Sequence, residues 1–158
     1  MERKSNDSAA IRIPPPVYFF ACLGCGLLME YFSPINLISL SPIPRLIVGG
    51  VFLLISGYFA MSAFFALTKN KTPFDTSKST IKIVTDGAYR FSRNPLYLSL
   101  LILLFGIAVL MTSIWLFFTI PILYMLFLFK AVKPEESYLS QKFGEEYLNY
   151  MAKVRRWI

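Results

Sequence analysis

The sequence contains no histidine and only two cysteines, Cys22 and Cys25. A structural zinc site needs four Cys or His ligands and catalytic zinc usually binds His, so the sequence predicts no zinc site. The two cysteines form a C-x-x-C pattern, but they lie inside an apolar run and lack the α/β context of a thioredoxin-like site. We therefore expect both to pack within a membrane helix.

Charged residues are also scarce. They make up 16% of the 158 residues, whereas hydrophobic residues make up 56%. Soluble domains average about one quarter charged residues. A chain of this length is expected to form one domain, and this one has too little polar surface to cover a water-soluble globule. We interpret residues 1–158 as a single membrane-embedded domain.

The formal net charge of +7 has two interpretations. In a soluble protein it would suggest nucleic acid as a partner. Here the basic residues lie between apolar blocks, and the sequence shows neither an aromatic–basic platform nor a major-groove helix. We therefore predict the bilayer as the partner and no nucleic acid, while the oligomeric state stays open.

Four apolar segments can cross the bilayer, which takes about 20 helical residues. Residues 96–129 carry no charge; as one helix they would be about 51 Å long, so they must fold back as a hairpin. Met111, Thr112 and Ser113 are the best place for the turn. The predicted spans are 17–38, 46–67, 96–111 and 114–130.

Glu30 lies near the far end of the first span, before a turn region that contains Pro34, Pro42 and Pro44. An acidic group in a membrane segment is a candidate for function by default. The alternative is a helix-end residue at the membrane interface, paired with Arg45.

Residues 134–154 are predicted to form an amphipathic helix that lies on the membrane surface or caps the bundle. Its apolar side chains recur at spacings of four and three. They are Leu139, Phe143, Tyr147, Met151 and Val154. The predicted fold is thus an all-α integral membrane protein with about four transmembrane helices, a helical hairpin and a C-terminal amphipathic helix.

With four spans, every Lys and Arg except Arg45 lies on one side of the membrane. The positive-inside rule places both termini and the polar loop 69–95 in the cytoplasm. The hairpin then brings two polar segments, 83–97 and 134–150, to one cytoplasmic mouth.

The side chains at this mouth suit a zwitterionic nucleoside cofactor. Tyr89 and Tyr97 offer aromatic faces that attract a cation, and the helix start at Asn94 and Pro95 suits an anion. Each feature also has a structural interpretation, because Asn-Pro often only begins a helix and interfacial tyrosines are common.

The two segments resemble the isoprenylcysteine carboxyl methyltransferase and phospholipid methyltransferase superfamily of membrane enzymes, most closely its small bacterial members. The first matching pattern is G-x-Y-x-x-x-R-[H/N]-P-x-Y, here from Gly87 to Tyr97. The second is E-E-x-x-L followed by F-G-x-E-Y-x-x-Y, here from Glu135 to Tyr150. The resemblance covers residues 73–158.

The resemblance implies a site for S-adenosyl-L-methionine that both motifs build. It implies catalytic roles for Arg93 and Glu136, with Arg93 holding a carboxylate of the cofactor or the substrate. Three parts of the chain would together bind the cofactor: the strand-like approach to the first motif, the start of the third helix and the tail. The cofactor-binding residues implied are Ile83, Val84, Gly87, Tyr89, Asn94, Pro95, Leu96, Tyr97 and Glu135.

The implied function is methyl transfer to an amphiphilic acceptor at the cytoplasmic face of the bacterial membrane. The acceptor is a lipid headgroup amine, or the carboxylate or thiol of a hydrophobic molecule. Isoprenylcysteine-methylating members carry an arginine where this sequence has Ala131, so the resemblance does not assign that substrate. The alternative is a non-catalytic membrane scaffold or ligand-binding protein with the same fold; a transporter is disfavoured because the longest spans lack ionisable residues.

Overall fold

The computed structural model describes residues 13–35, 41–72 and 80–158, and these are mostly helical, without a strand. Six α-helices, a short 3-10 helix and a π-helical turn follow one another along the described chain. They are α1 (Pro15–Phe32), α2 (Pro42–Lys69), the 3-10 helix (Gly87–Arg90), α3 (Pro95–Met111), α4 (Ile114–Phe127), the π-helical turn (Leu128–Val132), α5 (Lys133–Phe143) and α6 (Glu145–Lys153).

Because of nearby prolines, the end of the first helix and the start of the second lie at other residues than the predicted spans. α1 ends at Phe32 instead of continuing to 38, because Pro34 disfavours helical geometry at the residue before it. Residues 36–40 lie outside the described part of the chain. α2 begins at Pro42, four residues before the predicted span, because the first helical turn has free N–H groups and tolerates proline.

The predicted hairpin turn lies between α3 and α4. Thr112 adopts a left-handed conformation with φ of 50°, and its N–H closes the end of α3. The Ser113 side chain caps α4 by accepting a hydrogen bond from the N–H of Leu116 at 3.3 Å. The same hydroxyl donates to the Glu30 carboxylate, so the partner of Glu30 is Ser113 and the predicted pairing with Arg45 is wrong.

Helix packing places α2 against α3 and α1 against α4. α2 and α3 cross closely at Gly49 and Gly106, where a Cβ atom added to Gly49 would collide with Leu110 and lie 3.2 Å from the Gly106 carbonyl oxygen. About two turns further along α2, Ser56 Oγ donates to the Ser99 carbonyl oxygen at 2.8 Å. Small residues and interhelical hydrogen bonds of this kind are typical of membrane helix pairs.

The outer faces of the bundle are apolar, as a bilayer requires. Leu54 on α2 is 76% exposed and Phe20 on α1 is 64% exposed. Within the described residues, three helices are long and apolar enough to cross a membrane, namely Pro15–Phe32, Pro42–Lys69 and the continuous Ile114–Phe143, and α3 is a shorter apolar helix. The protein is therefore an all-α membrane protein with a helical hairpin.

The tail differs from the single helix predicted over 134–154. It breaks at Gly144, whose φ of 52° lies where glycine is favoured. The predicted apolar stripe nevertheless faces one way across α5 and α6, with Tyr147 and Tyr150 packed on Ile83. The tail thus covers one end of the bundle with this stripe.

Candidate active site

The site begins at Gly87, which opens the 3-10 helix with φ of 58°. A Cβ atom at this position would lie 2.9 Å from Ser62 Oγ on α2, so glycine allows the loop to pack closely on α2. The 3-10 helix presents Tyr89, whose backbone carbonyl accepts a hydrogen bond from Tyr150 Oη at 2.7 Å. The first motif is thereby fixed to both α2 and the tail.

Pro95 begins α3, as its ring geometry favours. The preceding Asn94 does not cap the helix with its side chain. Its Nδ2 donates to the Arg156 carbonyl oxygen at 3.0 Å, and its backbone N–H donates to Ser92 Oγ at 3.1 Å. The Asn94 amide is therefore used in fixing the tail beside α3.

The two motifs meet where the hairpin returns. Tyr97 Oη, in the first turn of α3, donates to Glu135 Oε2 on α5 at 2.8 Å. Because α3 and α4 double back at Thr112, residues 38 positions apart in sequence are in direct contact.

Glu136 lies between two arginines. Arg93 Nη2 is 3.2 Å from Glu136 Oε1. Arg156 binds the same carboxylate with Nε at 3.0 Å from Oε1 and Nη2 at 2.8 Å from Oε2. These hydrogen bonds raise the pKa of the Arg156 guanidinium. Two positive groups thus share one carboxylate, so Glu136 cannot pair fully with both of them.

Arg93 has unused hydrogen-bonding capacity. Its side chain is only 8% exposed, and its Nε and Nη1 are buried without a hydrogen-bond acceptor among the described residues. Buried polar groups in proteins normally have partners. Two buried N–H donor groups of a cation beside a cavity therefore indicate a site for an anionic group of a ligand.

Tyrosines form a second feature of the site. Burial, reinforced by Glu136, raises the pKa of Tyr147 to about 12, although the nearby Arg93 charge opposes the shift. Burial also raises the pKa of Tyr89 and of Tyr150. All three therefore remain neutral hydroxyl groups near pH 7 and can donate hydrogen bonds.

These residues surround a cavity of about 310 Å³, which lies within the size range of small-molecule sites. α1 contributes Pro15 and Pro16, and α2 contributes Ala60 and Leu67. The sequence-predicted residues that line the cavity are Ile83, Val84, Tyr89, Arg93, Asn94, Pro95, Leu96, Tyr97, Glu135 and Glu136.

Comparison with known proteins decides the family. The sequence matches the phospholipid methyltransferase family over residues 44–146, from α2 through the first motif and into the second, ending at the start of α6. The chain belongs to the phospholipid methyltransferase family. No curated protein and no solved structure matches it significantly.

Family membership makes the protein a membrane methyltransferase and confirms the superfamily that the two motifs predict. Of the predicted site residues, Gly87 alone does not line the cavity; it positions Tyr89 instead. Ile83 and Val84 do line it, but in an irregular segment rather than the predicted strand-like approach. The ligand contacts of all these residues remain predictions.

Sequence reasoning missed several residues of this methyltransferase that border or support the cavity. Tyr147 and Tyr150 belong to the second motif, so the motif itself was a signal for them. Arg156 follows the family match and had no sequence signal, because it lies after α6 and reaches its partner Glu136 on α5 only in the folded chain.

Proposed function

We propose that the protein transfers a methyl group from S-adenosyl-L-methionine to an amphiphilic acceptor at the cytoplasmic face of the membrane. The observation that carries the proposal is the cavity between the two motifs, into whose wall Arg93 brings two buried donors without acceptors. A methyltransferase family needs a methyl donor, and a donor with a carboxylate would supply the missing acceptors.

The residues present fit this donor. Arg93 would hold its carboxylate, and the neutral rings of Tyr89 and Tyr97 suit the sulfonium charge or the adenine face. Glu135, which already accepts a hydrogen bond from Tyr97, has capacity to accept from ribose hydroxyls or the ammonium group.

When bound, S-adenosylmethionine supplies an electrophilic methyl group on a positively charged sulfur. The main task of the chain is then to hold the acceptor in line with that methyl, since correct positioning lowers the barrier most in such a displacement. A carboxylate or thiolate acceptor needs no base. For an amine acceptor, Glu135, whose carboxylate lines the cavity beside Tyr97, would take the proton that the amine must lose.

The position of α1 and α2 supports an acceptor from the bilayer. α1 packs on α4 and α2 packs on α3, yet Pro15 of α1 and Ala60 of α2 both border the cavity. A lipid-like acceptor could therefore pass between these two helices and bring its head group to the cavity while its chains rest on apolar helix faces. The family description favours a phospholipid head group.

The cytoplasmic placement rests on charge. The cavity lies at the end of the bundle that carries Lys82, Arg93 and Arg156, whereas Arg45 lies near the opposite end, at the start of α2. The positive-inside rule favours the cytoplasm for the first group. We therefore expect the active site and both termini to face the cytoplasm.

The direct test is transfer of labelled methyl from S-adenosylmethionine into a native lipid extract by the purified protein in detergent. We expect a labelled lipid product from the wild type, and at least a tenfold slower transfer from Tyr97→Phe, which removes the hydrogen bond to Glu135. Gly57→Ala, on the open face of α2, is a matched control that leaves the rate unchanged.

Two results would contradict the proposal. If the wild type binds neither S-adenosylmethionine nor its demethylated product, the methyl donor is wrong. If it binds the donor saturably but labels no component of the extract, the chain is a ligand-binding scaffold.

A further inference from the structure

The segment after α6 is held tightly to the first motif. Arg93 N–H donates to the Arg155 carbonyl oxygen at 3.0 Å. The next carbonyl, that of Arg156, accepts from both Ser92 Oγ at 3.2 Å and Asn94 Nδ2 at 3.0 Å. The backbone of this segment therefore fixes the turn that leads into α3.

The Arg156 side chain determines how the Glu136 carboxylate can pair with Arg93. Its Nε and Nη2 bind the two carboxylate oxygens side by side, at 3.0 and 2.8 Å. A carboxylate can accept one such bidentate arginine along this edge. Arg93 consequently reaches Glu136 through Nη2 alone, at 3.2 Å.

This arrangement explains why Arg93 keeps free donors. If Arg156 did not occupy Glu136, the carboxylate could turn toward Arg93 and pair with it through two nitrogens. That pairing would use a donor that is now unpartnered, Nε or Nη1.

We propose that Arg156 is a positioning residue that keeps Arg93 available for the carboxylate of the methyl donor by sharing Glu136 with it. The inference rests on the proposed function, because it assumes a donor with a carboxylate. It goes beyond the family match, which ends at residue 146. Arg156 acts through Arg93 and Glu136 without touching the ligand.

The test compares two nucleosides that differ in the carboxylate. S-adenosylhomocysteine carries the amino-acid group, and 5′-methylthioadenosine lacks it. The dissociation constant of each is measured by calorimetry on the full chain in detergent, for the wild type, Arg156→Gln, Arg156→Lys and Arg155→Gln. Arg155 is an exposed neighbour of the same type, and its exposed side chain makes it the matched control.

We expect Arg156→Gln to weaken S-adenosylhomocysteine about tenfold, the loss of one hydrogen bond to a charged group, and 5′-methylthioadenosine less than about twofold. Arg156→Lys should give an intermediate loss, because an ammonium group cannot reproduce the bidentate contact. Arg155→Gln should match the wild type. In an Arg93→Gln background, Arg156→Gln should have no further effect on either ligand.

Equal weakening of both nucleosides in Arg156→Gln would overturn the proposal and assign Arg156 a general structural role. Unchanged affinity for both would overturn it as well. If Arg156→Gln does not fold, as judged by thermal unfolding, the same comparison is decided by Arg156→Lys. Failure of the wild type to bind S-adenosylhomocysteine would instead refute the proposed function itself, so the two failures are distinguishable.

Discussion

Glu136→Gln should destabilise the protein because it leaves two arginines without their counter-ion. Arg93 has a side-chain exposure of 8% and Glu136 one of 10%, so their pairing takes place away from water. Removing one partner of a buried ion pair costs about 3–5 kcal/mol. The Arg156 side chain is 37% exposed and can be hydrated. We therefore expect a loss of stability at the lower end of this range, about 3 kcal/mol.

The assay is thermal unfolding of the purified protein in detergent, followed by circular dichroism. A loss of about 3 kcal/mol corresponds to a decrease in Tm of roughly 6–12 °C for a chain of this size. Glu145→Gln is the matched control, since Glu145 is an exposed carboxylate on α6; its Tm should change little, because surface substitutions usually stay within about 0.5 kcal/mol.

A double variant sharpens the test. Replacing both members of a buried pair costs less than removing one and leaving the other charge unpaired. Arg93→Gln combined with Glu136→Gln should therefore be more stable than the sum of the single losses, by about 1–3 kcal/mol. If Glu136→Gln unfolds within about 2 °C of the wild type, or if the two losses simply add, Glu136 does not hold a buried charge network.

Three further predictions concern the bundle and the tail, and each is checked by the same unfolding assay. Gly49→Ala should destabilise by about 1–3 kcal/mol through overpacking against α3, whereas Gly57→Ala, with open space on the same helix, should gain up to about 1 kcal/mol from helix propensity; equal effects would argue against the close crossing. Ser56→Ala should cost about 0.6 kcal/mol, the average for an interhelical hydrogen bond in a membrane, and a loss above about 2 kcal/mol would indicate another role. Tyr150→Phe should cost about 1 kcal/mol and weaken donor binding by loosening the 3-10 helix; unchanged binding would mean that this helix does not shape the site.

Much of the membrane architecture follows from local sequence. The uncharged stretch 96–129 is too long for one crossing, and Thr112 and Ser113, near its middle, are its only two adjacent hydroxyl residues. Hydrophobic length and helix-breaking residues act on a few neighbours at a time, so the hairpin and its turn were predictable. The convergence of the Tyr97 and Glu135 segments followed from the hairpin.

Local sequence patterns did not predict the features that depend on contacts between residues far apart in the sequence. The helix predicted over 134–154 keeps its apolar periodicity, but its backbone breaks at Gly144, which redirects the chain so that Tyr147 and Tyr150 can pack on Ile83. Glu30 is bound by Ser113 rather than Arg45, since α1 packs on α4.

The sequence by itself determined that this protein is embedded in a bilayer. It also determined at which residues the chain turns and which two motifs come together. The tertiary structure alone decided which charges pair: Glu136 with both Arg93 and Arg156, and Arg93 with donors left over. Solvent preference is a property of each residue and its neighbours, so it can be read along the chain. An ion pair depends on distance in space, and residues 136 and 156 come together only when the segment after α6 packs beside the start of α3.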